Sequence, residues 1–110
     1  MNHEIRVVAV LLAREGKEDQ VEQILRACIQ PSRAEAGCLA YTLHRSIDQP
    51  GQFVFFERWS SREAIDLHRQ MHHYKTLSDA LIDMLIDRKV LLLEEIPNSP
   101  ESLSSSGNMS

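Results

Sequence analysis

From Ile5 to Ala13 the chain reads IRVVAVLLA, with Val7, Ala9 and Leu11 on one parity and Val8, Val10 and Leu12 on the other. A β-branched run that is apolar on both parities predicts a strand covered on both faces. Arg14-Glu15-Gly16 turns the chain. Between Lys17 and Gln30 the apolar positions Val21, Ile24, Leu25, Cys28 and Ile29 take the i, i+3, i+4, i+7, i+8 spacing of an amphipathic helix, with Pro31 as its expected stop. Gly37 opens a second extended stretch, Cys38 to Ile47, in which Leu39, Tyr41 and Leu43 alternate. The turn cluster Asp48-Gln49-Pro50-Gly51 leads into a third strand, Gln52 to Trp59, so the two strands form an antiparallel hairpin.

Ser60 stands three residues before Glu63, a capping-box spacing that starts a helix. Ala64, Ile65, His68 and Met71 mark its inner face. A second helical pattern runs through Leu77, Ala80, Leu81, Met84 and Leu85, with Asp79, Asp83 and Asp87 on its solvent side. Arg88 to Ile96 predicts the last strand, stopped by Pro97. The order β-α-β-β-α-α-β describes an α+β fold whose helices cover one face of a four-stranded antiparallel sheet. The first, third and last strands carry apolar residues on both parities, so the other face needs a cover. A second copy of the same sheet supplies one, and a homodimer through the sheet face is expected.

At 110 residues the chain suits one domain that buries its own core without a disulfide or metal staple. That domain is expected over residues 1–97, followed by a serine-rich tail, 98–110, expected to be disordered. Cys28 and Cys38 form no CxxC pair and are taken as two reduced thiols. Twelve Lys and Arg against sixteen Asp and Glu give a net charge of −4 with no dense basic stretch. That balance argues against nucleic-acid or membrane partners and leaves a small neutral or anionic molecule as the ligand class. The apolar run from Ile5 is too short to span a bilayer, and the N-terminus lacks a leader pattern, so a cytoplasmic location is expected.

His68 follows Ile65 and Ala64 by three and four residues and therefore faces the sheet. A half-buried imidazole there can accept a proton near neutral pH; it can equally be a core histidine bonded to backbone or to Glu57. His73 falls at the break between two helices, as a pocket rim or as a helix N-terminal residue bonded to backbone. Glu57 alternates with Phe53, Phe55 and Trp59, a costly place for a carboxylate unless it is paired. It can orient a histidine or take a proton itself with a raised pKa; structurally it can pair with neighbours of Arg58 on adjacent strands or lock the dimer. Five of the six aromatics lie between Tyr41 and Trp59, as core or as the wall for a flat ring. Tyr41 and Tyr74 offer hydroxyls to a substrate oxygen. His44 and Arg45 are expected in solvent. His68 and His72 would share one face of an unbroken helix as metal-binding pairs do, but no further ligand is evident and no metal is expected.

The series Glu35-Ala36-Gly37-Cys38, Tyr41, Phe55-Phe56-Glu57-Arg58-Trp59, Ala64, His68 and His73 resembles the antibiotic biosynthesis monooxygenase domain over about Ile5 to Ile96. His72-His73-Tyr74-Lys75-Thr76 is most similar to the quinol monooxygenase and autoinducer-2 phosphate-degradation branches. The resemblance implies a ferredoxin-like α+β sandwich whose protomers pair sheet to sheet as a dimeric barrel. It also implies oxygenation of a quinol, phenol or anthrone without cofactor. The deprotonated substrate passes an electron directly to dioxygen, so the protein needs a base, an apolar pocket and exclusion of water. His68, His73 and Glu57 would then be catalytic, and Tyr41, Phe55, Trp59 and Tyr74 would contact substrate. Haem-degrading relatives carry a tryptophan at the position of His68 and a histidine at that of Ser78, so haem is not expected. Two alternatives stand beside this function. One is an isomerase or degradative enzyme for a small phosphorylated metabolite, using Lys75 with Arg69 or Arg45; the other is a non-catalytic ligand-binding dimer.

Overall fold

The computed structural model describes residues 3–97, and the serine-rich segment 98–110 lies outside them. The elements are β1 (Ile5–Ala13), α1 (Glu18–Ala27), α2 (Ile29–Arg33), β2 (Cys38–Arg45), β3 (Gln52–Trp59), α3 (Arg62–Gln70), α4 (His72–Leu81) and β4 (Leu85–Leu93). The strands pair antiparallel in the order β2-β3-β1-β4. This is the expected ferredoxin-like α+β fold, with the apolar run of β1 at the centre.

One parity of β1 (Val7, Ala9, Leu11, Ala13) is buried beneath the helices together with Tyr41, Phe53, Phe55, Glu57 and Trp59. Val21, Leu25, Cys28, Ile65, Leu77 and Leu81 close that core from the helical side. On the opposite parity Val8 pairs with Phe56 on one side and Leu91 on the other. Val8 is half-buried in the single chain, and Phe56, Leu91 and Leu93 are exposed. No helix among the described residues is long and apolar enough to cross a membrane.

Four expectations shift, each for a local reason. The helix breaks at Cys28, and Pro31 lies inside α2 rather than ending α1. It occupies the first turn, where a missing N–H costs no intrahelical bond. Ser61, not Ser60, caps α3 by accepting from the Ala64 N–H at 3.1 Å; the Ser60 N–H donates to the Gly37 carbonyl at 2.9 Å. An irregularity between Cys38 and Ala40 breaks the β2 alternation, leaving Leu39 48 % exposed while Tyr41 is buried. Finally, α4 ends at Leu81 and β4 begins at Leu85, because the end of β1 captures the chain. Ala13 pairs with Leu85, and the Arg14 N–H donates to the Met84 carbonyl at 2.8 Å. Asp83 and Asp87 are therefore not on the helix.

Gly37 positions the site. A Cβ there would lie 2.4 Å from the Ala64 Cβ, so only glycine lets the α2–β2 loop lie against the first turn of α3.

Candidate active site

That loop carries Glu35. Its N–H donates to the Ser32 carbonyl at 3.1 Å and its carbonyl accepts from the Cys38 N–H at 3.0 Å, a tight turn that aims the carboxylate at the α3–α4 break. Oε2 receives His68 Nδ1 at 2.7 Å and His73 Nε2 at 2.6 Å. Side-chain exposure falls from 18 % at His73 to 7 % at Glu35 and 4 % at His68, so the three form a chain leading inward. The ligand atoms of the three side chains all lie within 4.8 Å of one another.

The inner end of the chain is unsatisfied. His68 Nε2 is buried and bonds to no described residue. The ring lines a cavity of about 30 Å³, shared with Tyr41, Phe55, Glu57, Tyr74 and Arg88 and with Arg69 at its exposed side. That volume holds one or two waters. Because a carboxylate can only accept, it assigns the proton of a neutral His68 to Nδ1 and leaves Nε2 with a lone pair. Burial depresses the His68 pKa below its usual 6.5, against the hydrogen bond and charge of Glu35. The arrangement is a neutral imidazole, fixed in one tautomer, offering an acceptor to an enclosed space.

Glu57 lies across the same cavity. Burial pushes its pKa up to about 7, against the Trp59 indole N–H, which donates to Oε1 at 2.8 Å, and the charge of Arg69. It does not bond to His68, as the sequence allowed; Glu35 takes that place. Its face of the sheet is the helix-covered one, so it cannot lock a dimer through the other face.

The remaining candidates divide. Tyr41 lines the cavity with its ring, but its hydroxyl donates to Cys28 Sγ at 3.6 Å and is not offered to a substrate. Phe55 lies 4.8 Å from the Tyr41 ring and lines the cavity. Trp59 is outside the lining: it is fully buried behind His68, ring centres 4.5 Å apart. Tyr74 is in the lining, and its hydroxyl accepts from Arg88 Nη2 at 3.1 Å, leaving its own proton to donate. Arg88 Nη1 also donates to Ser78 Oγ at 3.0 Å. His73 is not in the lining, and its side chain bonds to Glu35 rather than to backbone.

The extended backbone of Met71 separates α3 from α4, and His72 turns to Thr76 Oγ1 at 3.3 Å. His68 and His72 are therefore not one-face partners. Lys75 is exposed and outside the lining, and Arg45 pairs with Glu22 at 2.7 Å. Sequence reasoning gave Glu35 no role and did not single out Arg88. The E-x-G-C opening contained the signal for Glu35, whose glycine marks the loop that must approach a helix.

Residues 4–80 match the family described as Antibiotic biosynthesis monooxygenase, and the chain belongs to that family. It is 40 % identical over 74 residues to the protein named "Putative monooxygenase Rv0793" of Mycobacterium tuberculosis, covering 67 % of this chain and 72 % of that one. The solved structure of Rv0793 superposes with a TM-score of 0.81 at 34 % identity, covering 86 % of this chain and 96 % of that one. PA3566 of Pseudomonas aeruginosa gives a TM-score of 0.84 at 31 % identity over 88 % of this chain and 98 % of its own.

Proposed function

We propose that the chain is a cofactor-independent monooxygenase of a small electron-rich aromatic, a quinol or phenol, with His68 Nε2 as the proton acceptor. The single observation that carries the reading is the unpartnered Nε2, held in its accepting tautomer by Glu35 and set among aromatic walls. Nε2 takes the substrate hydroxyl proton, and the imidazolium is held against the Glu35 carboxylate. The phenolate passes an electron to dioxygen, and the radicals combine at a ring carbon. One oxygen atom stays as a carbonyl; the other leaves as water with the ring hydrogen and the hydroxyl hydrogen, so no external reductant is consumed. Tyr74 donates its hydroxyl to a substrate oxygen, and Phe55 and the Tyr41 ring form the wall. A space of about 30 Å³ does not admit an aromatic ring, so Tyr74, Arg69 and Arg88 must swing outward on binding.

The row Phe56–Val8–Leu91 supports a homodimer closed sheet to sheet, which would seal the uncovered face. Sedimentation should give a dimer for the full chain and a shift towards monomer for Phe56→Asp. For activity, purified protein is incubated with a panel of quinols and phenols while oxygen uptake is followed. Uptake that falls at least a hundredfold in His68→Ala supports the reading; no uptake across the panel, or uptake indifferent to His68→Ala, removes it. Arg69 and Arg88 in the lining favour one second reading, a proton-shuttling isomerase for an anionic metabolite. Turnover that persists without oxygen would select it.

A further inference from the structure

We propose that Glu35, His68 and His73 form a binding site for one divalent transition-metal ion of the zinc and cobalt class. Both imidazole nitrogens lie within 2.7 Å of the same carboxylate oxygen, so three ligand atoms from three separate segments converge on one point, the nitrogens becoming lone-pair donors once they shed the protons they now give to the carboxylate. These segments are the loop before β2, the last turn of α3 and the first turn of α4. Two imidazoles and a carboxylate select zinc, cobalt, nickel or iron(II) over magnesium and calcium, which prefer oxygen-only shells.

The geometry needs only a small adjustment. With bonds of about 2.0 to 2.2 Å to nitrogen and oxygen in a tetrahedral shell, neighbouring ligand atoms stand roughly 3.4 Å apart, so each nitrogen, now at 2.6–2.7 Å, backs away from Oε2 by about 0.7 Å. No pair of ligand atoms is more than 4.8 Å apart now, against a ceiling of about 4.2 Å for two ligands on one ion. His73, the outermost of the three, can make that movement and gives the ion access from solvent. The dipoles at the two helix ends oppose each other at the α3–α4 break, so neither decides the matter.

The site does not rest on the oxygenase reading, but it has a consequence for it. A metal on His68 Nδ1 replaces the proton there, and the neutral ring then carries its only proton on Nε2. The cavity nitrogen changes from acceptor to donor. Metal-loaded and base-competent His68 are thus alternative states, and the ion would act as an inhibitor of proton abstraction.

The test is titration of metal-free full-length protein with Co²⁺, following its visible absorption and the histidine ring resonances. One Co²⁺ per chain, with paramagnetic broadening of His68 and His73 and not of His3, His44 and His72, supports the site. Glu35→Gln and His73→Ala should each weaken binding by at least about tenfold, a loss seen even for partners outside the coordination shell, while His72→Ala leaves it unchanged. Absence of stoichiometric uptake overturns the proposal, as does uptake that broadens only the exposed histidines. The spectral readout on the unaltered protein decides the question even if a variant misfolds. Oxygen uptake by the metal-free protein is measured separately, so either proposal can fail alone.

Discussion

Glu57→Gln should stabilise the protein, and increasingly so as the pH rises. The ordinary glutamate value of 4.5 is pushed up to about 7 by burial among Phe55, Trp59 and His68. Between those two values the native state holds a proton that the unfolded chain has released. Stability therefore falls as pH rises from 4.5 to about 7, and the full cost is present above 7. At 1.36 kcal/mol per pH unit, the interval from 4.5 to about 7 corresponds to about 3 kcal/mol. Glutamine keeps an oxygen that can accept from the Trp59 indole, so it removes the charge and leaves the hydrogen bond available. Urea unfolding at fixed protein concentration, followed through the fluorescence of Trp59, gives the stability of both proteins from pH 4 to pH 8. The stability of the variant relative to the parent should climb by about 3 kcal/mol across that range. Curves that stay parallel would show that Glu57 keeps the same protonation in the folded and unfolded chain, since a constant offset reports packing and not ionisation. The depressed pKa of His68 acts with the opposite sign, lowering stability as pH falls through its unfolded value of 6.5; it is present in both proteins and cancels in the comparison.

Two further substitutions probe the scaffold of the site. Glu35→Gln leaves both histidines without their charged partner and should cost about 2 kcal/mol, the range for a hydrogen bond to a charged group; it should also lower the His68 pKa further, read by ring-proton NMR. An unchanged His68 titration would mean that the 2.7 Å contact does not hold in solution. Gly37→Ala forces a methyl into the Ala64 Cβ and should cost about 1–3 kcal/mol in urea unfolding, the range for an overpacked site. An alanine variant as stable as the parent would show that the loop before β2 does not approach α3 so closely.

The inward direction of His68 was legible because helical spacing ties it to Ile65 and Ala64, and burial follows spacing wherever a helix has one apolar face. The bounds of β3 were legible for a similar reason: Gly51, at φ +81°, marks the turn, and alternation runs unbroken to Trp59. The start of β4 was not, because Leu81, Met84 and Leu85 satisfy helical spacing as well as any helix does. Only pairing with β1 draws Leu85 into the sheet, and that pairing joins residues 72 positions apart. The site's centre was hidden by the same kind of distance. Glu35 lies 33 residues from His68 and 38 from His73, in a loop where no periodicity operates. Glu57 looked like the natural partner for a histidine because it shares the buried face. The indole of Trp59, two residues along the same strand, reaches it first.

Burial acts on the two titrating groups of the cavity in opposite directions, and that difference lets a pH profile tell the two candidate bases apart. It disfavours the cation of His68 and the anion of Glu57, so His68 falls below 6.5 while Glu57 rises to about 7. In the free protein the carboxylate is then the stronger base of the two, although the imidazole has the unpartnered acceptor. If His68 takes the substrate proton, kcat/KM for any quinol that is turned over should rise with pH through a value below 6.5 and level off before pH 7. If Glu57 takes it, the rise should centre near pH 7. Glu57→Gln separates the cases: it leaves the lower inflection in place when His68 is the base and abolishes turnover when Glu57 is. A rise centred near 7 that disappears with Glu57→Gln would transfer the proton acceptor from α3 to β3 and reduce His68 to a positioning residue.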